Sequence, residues 1–431
     1  MRKPVIVVGG GLAGLASACY LARGGRSVTL LEKSHALGGR ASTDHLQGFA
    51  LNRGAHALYT GGAASEVLHD LGVTYHAGVP KQIFGLDARG IHRFPASTVG
   101  LLTTTLLDGG DKREFASFFV RLGTIAPEAH AHESVADWIS SVARRPRMRH
   151  LLTGLARVQT YSSALDVIAA DALIARLKQT ISHPVHYVSG GWQTLVDGLH
   201  DAAMRAGVDV RTTSGVERVT IVEGLATSVR LQDGQQVPAD QVVLAVPPED
   251  ALRLLGDDTA PHLARSVAGM APAYVAALDV ALRALPNPRH PVVFDLEQPR
   301  FLTAQSTVAD VAPRGGAVIH TFTQPDFRVP TKPAEDRAAL EDLLDQVQPG
   351  WRELVVEQRF LPRMLGSSTL PLMHQGSLAG RPAHHSPDVR NVYFAGDWVG
   401  PRGYLADASL DSARETARQV LDSARPVRRA A

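Results

Sequence analysis

Apolar residues run without alternation at Val5-Ile6-Val7-Val8 and again at Val28-Thr29-Leu30-Leu31. Such runs predict short strands buried on both faces of a parallel sheet. A helix from Leu15 to Arg23 lies between them, so residues 1–60 read as a β-α-β block. Residues 61–110 predict a short helix near Ala64–Leu71 and strand pieces around Ile83–Leu86 and Ile91–Phe94. Residues 111–180 predict helices. Phe115, Phe118, Phe119 and Leu122 fall at i, i+3, i+4 and i+7, a stripe that packs a core or, with Lys112, Arg113 and Arg121 at its edges, faces a substrate entrance or a membrane. Ser134-Val135-Ala136-Asp137 is a capping box before Trp138 and Ile139. After Gly190-Gly191 a helix runs through Met204. Strands follow at Gly207–Arg211, Gly215–Val219, Ser228–Leu231 and Gln241–Val246, with Asp233-Gly234 as a turn. Residues 251–385 mix helices and strands and carry few motifs. A strand at Asn391–Phe394 and a helix from Gly403 to about Leu421 close the pattern.

The junctions of the first block carry its chemistry. Gly9, Gly11 and Gly14 form G-x-G-x-x-G between strand and helix. The first glycine permits the tight turn, the second lets backbone approach a pyrophosphate, and the third lets helix and strand pack closely. The N–H groups around Leu12 and Ala13 and the positive end of the helix dipole face the phosphates. Glu32, eighteen positions after Gly14, ends the second strand. A carboxylate there takes ribose hydroxyls and repels a 2′-phosphate. The block therefore holds a dinucleotide. The opening Met1-Arg2-Lys3 and apolar stretch resemble a signal peptide, but glycines interrupt the run and the pattern continues past any cleavage point.

Bulk properties narrow the class. The chain has 431 residues, enough for more than one domain, and a net charge of only +2 with acids and bases interspersed. A nucleic-acid partner is not expected. No stretch approaches eighteen apolar residues without charges, so no spanning helix is expected. The single cysteine, Cys19, lies in the first helix and rules out an intrachain disulfide, in keeping with a cytoplasmic location. His130-Ala131-His132-Glu133 and His384-His385 read as solvated loop histidines, and no metal site is expected. Arg425–Ala431 is a basic tail, read as a solvated end or a weak membrane anchor.

A second glycine turn, Leu37-Gly38-Gly39-Arg40, follows Glu32 and Lys33. It closely resembles the E-x(5)-G-G-R segment of the flavin-containing amine oxidase and phytoene desaturase superfamily. Phe49 to His56 is similar to that family's F-x-x-D-x-G-x-x stretch, with Asn52 where the family usually has Asp. Gly215-Val216 and Leu244–Pro248 are similar to its middle region, and Phe394-Ala395-Gly396-Asp397 with the Gly403-Tyr404-Leu405 helix start to its ending. There Asp407 and Ser412 replace two family glycines. The resemblance implies non-covalent FAD in an extended pose. Gly39 and Arg40 lie along its pyrophosphate and ribityl chain, Gly54, Ala55 and His56 beside the isoalloxazine, and Val216 against the adenine. Asp397 sits at the ribityl end, and the N–H groups at Tyr404 and Leu405 face the flavin C2 carbonyl, which favours reduced flavin. It implies an α/β fold: a Rossmann-like FAD-binding domain with a three-stranded β-meander, built from 1–75, 186–250 and 386–424. A substrate domain, α+β with a helical part at 111–180, is inserted as 76–185 and 251–385.

The resemblance also implies the reaction class: hydride transfer from a hydrophobic small molecule to flavin N5. C–C desaturation, as in carotenoid desaturases, is favoured over amine oxidation to an imine. Tyr404 matches one half of an amine-holding aromatic cage, yet Phe360-Leu361-Pro362-Arg363 offers only Phe360 as its partner and no flavin-facing lysine is found. His56 is the candidate acid or base near neutral pH. A nicotinamide-dependent dehydrogenase and an inactive flavin-binding protein are the other readings. Peripheral membrane contact and a monomer or homodimer complete the expectations.

Overall fold

The computed structural model describes residues 4–423, and the basic tail expected over 425–431 lies outside them. A five-stranded sheet runs in the order Asp209–Arg211, Val28–Leu31, Val5–Val8, Gln241–Leu244, Val392–Phe394, every pairing parallel. Its three middle strands are buried at every position, which is why their sequences do not alternate. Helices Leu12–Arg23, Gln193–Arg205 and Ala406–Ser423 cover one face, where Leu15, Leu195, Leu199 and Ala413 share a core. The other face packs Ile6 and Leu244 against Val219 and Val229 of an antiparallel meander, Val216–Val222, Leu225–Leu231 and Gln236–Pro238.

A second sheet has seven strands in the order Val355–Ser367, Ala273–Leu282, Ala317–Thr323, Arg300–Ala304, Val292–Asp295, Phe84–Asp87, Gly90–Arg93. All its pairings are antiparallel except Val292–Asp295 with Phe84–Asp87. Helix Pro333–Val347 seals one face through Leu340, Leu343 and Leu344. Helices Gly109–Leu122, Val135–Val142, Pro146–Thr160 and Ala170–Ser182 build the core on the other. Strand Val185–Val188 pairs with both Leu58–Tyr59 and Ala77–Gly78 and ties the two parts together.

The phenylalanine stripe is core: Phe115, Phe118 and Leu122 are buried and Phe119 packs against them. Ser134 caps its helix as expected, its hydroxyl accepting the Asp137 N–H at 3.0 Å. A reciprocal capping box, Asp108 with Asp111, starts the preceding helix and has no Ser or Thr to announce it. His384 corrects one expectation. It is buried, not solvated, with Nδ1 3.2 Å from the Thr416 hydroxyl, and burial lowers its pKa. Among the described residues no helix is long and apolar enough to cross a membrane.

Candidate active site

The two glycine turns at the sheet's edge are bonded to each other. The Gly38 N–H donates to the Gly10 carbonyl at 2.8 Å. A Cβ on Gly14 would lie 1.9 Å from the Gly9 carbonyl oxygen, so the helix seats on the strand only because Gly14 has none. Gly11 is different: the nearest atom to a Cβ there is 3.8 Å away, and the space in front of it is open. No side chain caps the helix at Gly11 and no acid lies in its first turn. The positive end of the helix is left for an anionic ligand.

A cavity of about 750 Å³ begins at this point and passes the carboxyl ends of the parallel strands, at Val8, Leu31, Ala245 and Ala395. That is where open parallel sheets hold their ligands. One end is formed by Glu32, Lys33 and Val216, the middle by Gly39, Arg40, Gly396 and Asp397, and the other end by Ala55, His56, Tyr404 and Leu405. Gly9, Gly11, Leu12 and Ala13 line it as well. Gly14 stands behind it as a packing residue. Gly54 also stands back, with φ +76° and a Cβ position 2.5 Å from Met364 Cε, a side chain that does line the cavity.

Glu32 accepts the Gly10 N–H at 2.6 Å and the Ser34 N–H at 2.8 Å, which holds its carboxylate at the cavity wall. Asp397 and Arg40 form a bidentate pair at 2.7 and 2.8 Å, with the Ser368 N–H on the same carboxylate at 2.9 Å. Burial alone would raise the Asp397 carboxyl. The Arg40 charge and these hydrogen bonds win and hold it at about 2. Arg40 leaves 41% of its side chain exposed while Asp397 is 1% exposed. Two residues read from the sequence as separate ligand contacts are therefore each other's partner first.

The two departures at the last helix have structural work. Ser412 Oγ accepts the Gly396 N–H at 2.9 Å and lies 3.0 Å from the carbonyls of Gly396 and Ser409. It clamps the Gly396-Asp397 turn. Asp407 accepts the Ala64 N–H at 2.9 Å and so caps the neighbouring helix Ala63–Asp70. Leu405, just before the last helix, has φ +55°, a conformation costly for leucine.

His56 stacks edge-on to Trp192 with centroids 4.8 Å apart, and its Nδ1 is 3.1 Å from the Gly54 carbonyl. A carbonyl only accepts, so Nδ1 carries the proton. Burial lowers the ring's pKa to about 4, against smaller upward pulls from the Gly54 and Arg40 carbonyls and Asp279. His56 is thus a neutral ring near neutral pH, which removes the imidazolium acid from its expected roles. Tyr404 is buried, its hydroxyl donating to the Thr160 carbonyl at 3.2 Å, and burial pushes it up to about 12. Phe360 is not its companion; that ring packs on the helix-covered face of the large sheet, and Leu361, its neighbour on the strand, reaches the cavity. The rings beside Tyr404 on the cavity wall are Tyr59 and Tyr161. Arg176 joins them, with its guanidinium 3.7 Å over Tyr59 and 5.8 Å from Tyr404, and Arg381 lies 5.9 Å from Tyr404. Sequence reasoning named neither arginine nor Tyr161. Only Arg176's place mid-helix among Leu173, Ile174 and Leu177 sets it apart in the sequence.

The cradle fits FAD. An uncapped helix end with open space at Gly11, a ribose-gripping acid at one end and a long groove to an aromatic chamber match its diphosphate, ribose and ring in order. Glu32, Gly11, Leu12, Ala13, Arg40 and the Tyr404–Leu405 turn would hold it. Cys19 is buried between helices with its thiol 3.4 Å from the Leu199 carbonyl, and burial pushes it up to about 11, which leaves it unsuited to flavin attachment.

The comparisons agree with the geometry. The chain is 26% identical to a phytoene desaturase of Cercospora nicotianae over 56% of its length, and this match spans only 45% of that relative. It is 22% identical to the 4,4′-diapolycopen-4-al dehydrogenase of Metabacillus indicus over 93% of both chains. A putrescine oxidase variant superposes with a TM-score of 0.76 at 17% identity, covering 98% of this chain and all of the other. The family model for flavin containing amine oxidoreductase matches residues 12–421, so the chain belongs to that family.

Proposed function

We propose that the protein dehydrogenates a hydrophobic small molecule at a C–C bond and not at an amine. One observation carries this: two buried guanidiniums, Arg176 and Arg381, lie 5.8 and 5.9 Å from the Tyr404 ring centroid. An ammonium resting on that ring would meet two like charges. Arg381 would repel it, Arg176 would do so less because Asp407 lies 3.5 Å from its Nη1, and this repulsion opposes the ~1–2 kcal/mol a ring face offers a cation. A neutral chain suffers no such penalty, and Leu361, Met364, Leu365 and Tyr161 give it an apolar wall.

Bound FAD supplies the two-electron acceptor. The chain's own residues hold the substrate beside it and keep water out through Trp192, Tyr161 and Tyr404. Desaturation also releases a proton. His56, neutral with its Nδ1 proton given to Gly54, enters this reading as an acceptor of that proton and not as an acid. The name of one relative, a phytoene desaturase, points the same way, while the 4,4′-diapolycopen-4-al dehydrogenase is named for an aldehyde of a similar chain.

The test is anaerobic mixing of the flavin-loaded protein with a panel of detergent-dispersed polyenes and of primary and secondary amines, followed by flavin absorbance. Bleaching by a polyene and by no amine is the expected result. Bleaching by amines alone overturns the proposal, and bleaching by neither favours a flavin holder without chemistry.

A further inference from the structure

His56 and Trp192 both line the cavity, and two buried side-chain amides, Asn52 and Gln305, stand behind them. Gln305 Nε2 donates to the His56 carbonyl at 2.6 Å, and Gln305 Oε1 accepts from Asn52 Nδ2 at 3.2 Å. Asn52 Oδ1 in turn accepts the Trp192 N–H at 2.9 Å and the Thr43 hydroxyl at 2.8 Å. The rings of His56 and Trp192 meet edge-on at 4.8 Å, so the circuit closes on itself. Gly191 permits the approach, since a Cβ there would lie 2.9 Å from Asn52 Oδ1. The polarity of the circuit is forced. The His56 carbonyl can only accept and the Trp192 N–H can only donate, so each residue between them must do both. An amide does both. A carboxylate at position 52 would leave Gln305 Oε1 buried without its donor, which is costly.

We propose that Asn52 and Gln305 are positioning residues, a pair of amides that locks the His56 ring to Trp192 at the cavity wall for bound FAD. Asn52 ends the strand Phe49–Asn52, and Gln305 opens the short turn Gln305–Thr307 that follows a strand of the seven-stranded sheet. The circuit therefore ties that sheet to the cavity wall. The surroundings favour neutral groups in it. The Arg359 guanidinium donates to the Asn52 carbonyl, to Asp44 and, at 2.7 Å, to Asp279. His320 Nδ1 lies 2.6 Å from the other Asp279 oxygen. Asp44 and Asp279 already share one guanidinium, so burial and these two acids would keep a carboxyl introduced at 52 protonated above the ordinary carboxylate range. The inference rests on the reading above only for the proton that His56 accepts.

Acid variants test it, because a protonated carboxyl can replace either amide and an ionised one cannot. In N52D the introduced acid would donate to Gln305, and in Q305E to the His56 carbonyl. FAD is titrated into each protein between pH 5.5 and 8.5 by flavin fluorescence, with far-UV circular dichroism reporting the fold. Relative to the unaltered protein at the same pH, both acid variants should bind within about twofold at the acid end. At the alkaline end they should bind at least about fivefold more weakly, the size of one unmet buried hydrogen bond. N52L and Q305L, which neither donate nor accept, should be equally weak throughout. In N52D/H56A the pH step should be lost, since the ring it displaces is gone. Folded acid variants with a flat profile overturn the proposal, and so does the same step in the leucine variants. A step of unchanged size in N52D/H56A overturns it too, because that marks a general brace and not a placed ring. Failure of both acid variants to fold at pH 5.5 also overturns it, since the protonated acid should complete the circuit. FAD affinity reports the circuit whether or not a polyene bleaches the flavin, so either reading can fail while the other stands.

Discussion

Replacing Arg40 by Met removes the one side chain among the described residues in ion-pair contact with Asp397, a carboxylate that is 1% exposed. The two bonds, at 2.7 and 2.8 Å, place the charge centres about 4 Å apart. At an effective dielectric near 20 that attraction is about 4 kcal/mol. Arg40 is 41% exposed, and solvent screening brings the figure to about 3 kcal/mol. Linkage gives a similar size. A carboxyl held at about 2 instead of 3.8 contributes about 2 kcal/mol. Its folded-state pKa is depressed, so the contribution is complete above about pH 4 and is lost as pH falls toward 2. Arg40→Met should therefore cost about 3 kcal/mol at pH 7. In the variant, burial dominates and raises Asp397, so the deficit shrinks as acid protonates it. The double variant R40M/D397N has no buried charge to strand and should be more stable than R40M alone. Urea denaturation of the three proteins between pH 4 and 8, with excess FAD, measures all of this. A loss below 1 kcal/mol for R40M, or a double variant weaker than R40M, would refute the reasoning.

Glycine substitutions at the first turn should separate folding from binding. Gly14→Ala puts a methyl 1.9 Å from the Gly9 carbonyl and should yield little folded protein, whereas Gly11→Ala meets nothing within 3.8 Å and should fold with a normal circular dichroism spectrum but lose FAD. Glu32→Ala removes an acceptor at the ribose end and should weaken FAD roughly 10–100-fold by flavin fluorescence titration, the size of one charge-assisted hydrogen bond. Ser412→Ala strips the clamp from Gly396 and should lower stability by about 1–3 kcal/mol in thermal melts; an unchanged melting temperature would remove that role. His56 has its pKa lowered to about 4, so the rate of flavin reduction between pH 5.5 and 8 should show no ionisation that His56→Ala abolishes.

What the sequence revealed and what it hid divide along one physical line. The parallel sheet was legible because its strands are buried on both faces and are therefore apolar at every position, as at Val5–Val8. The phosphate cradle was legible because close approach admits only glycine, as at Gly9 and Gly14. Each of these is a local demand that leaves its mark at a fixed spacing. The pairing of Arg40 with Asp397 spans more than three hundred residues and leaves no such mark. His384 read as a loop residue because Pro and Ala surround it, yet the chain folds it against Gly400 and Thr416. The chamber at the far end was least legible of all. Tyr59, Tyr161, Arg176 and Tyr404 come from four separated elements, and each has an ordinary local reading as a core aromatic or a helix arginine. Their convergence buries Arg176, and burial there removes water without supplying a partner for Nε and Nη2, as it does at Arg381. The cofactor's site is thus written in backbone constraints, which spacing can display. The unmet hydrogen bonds of Arg176 exist only once the chain has folded.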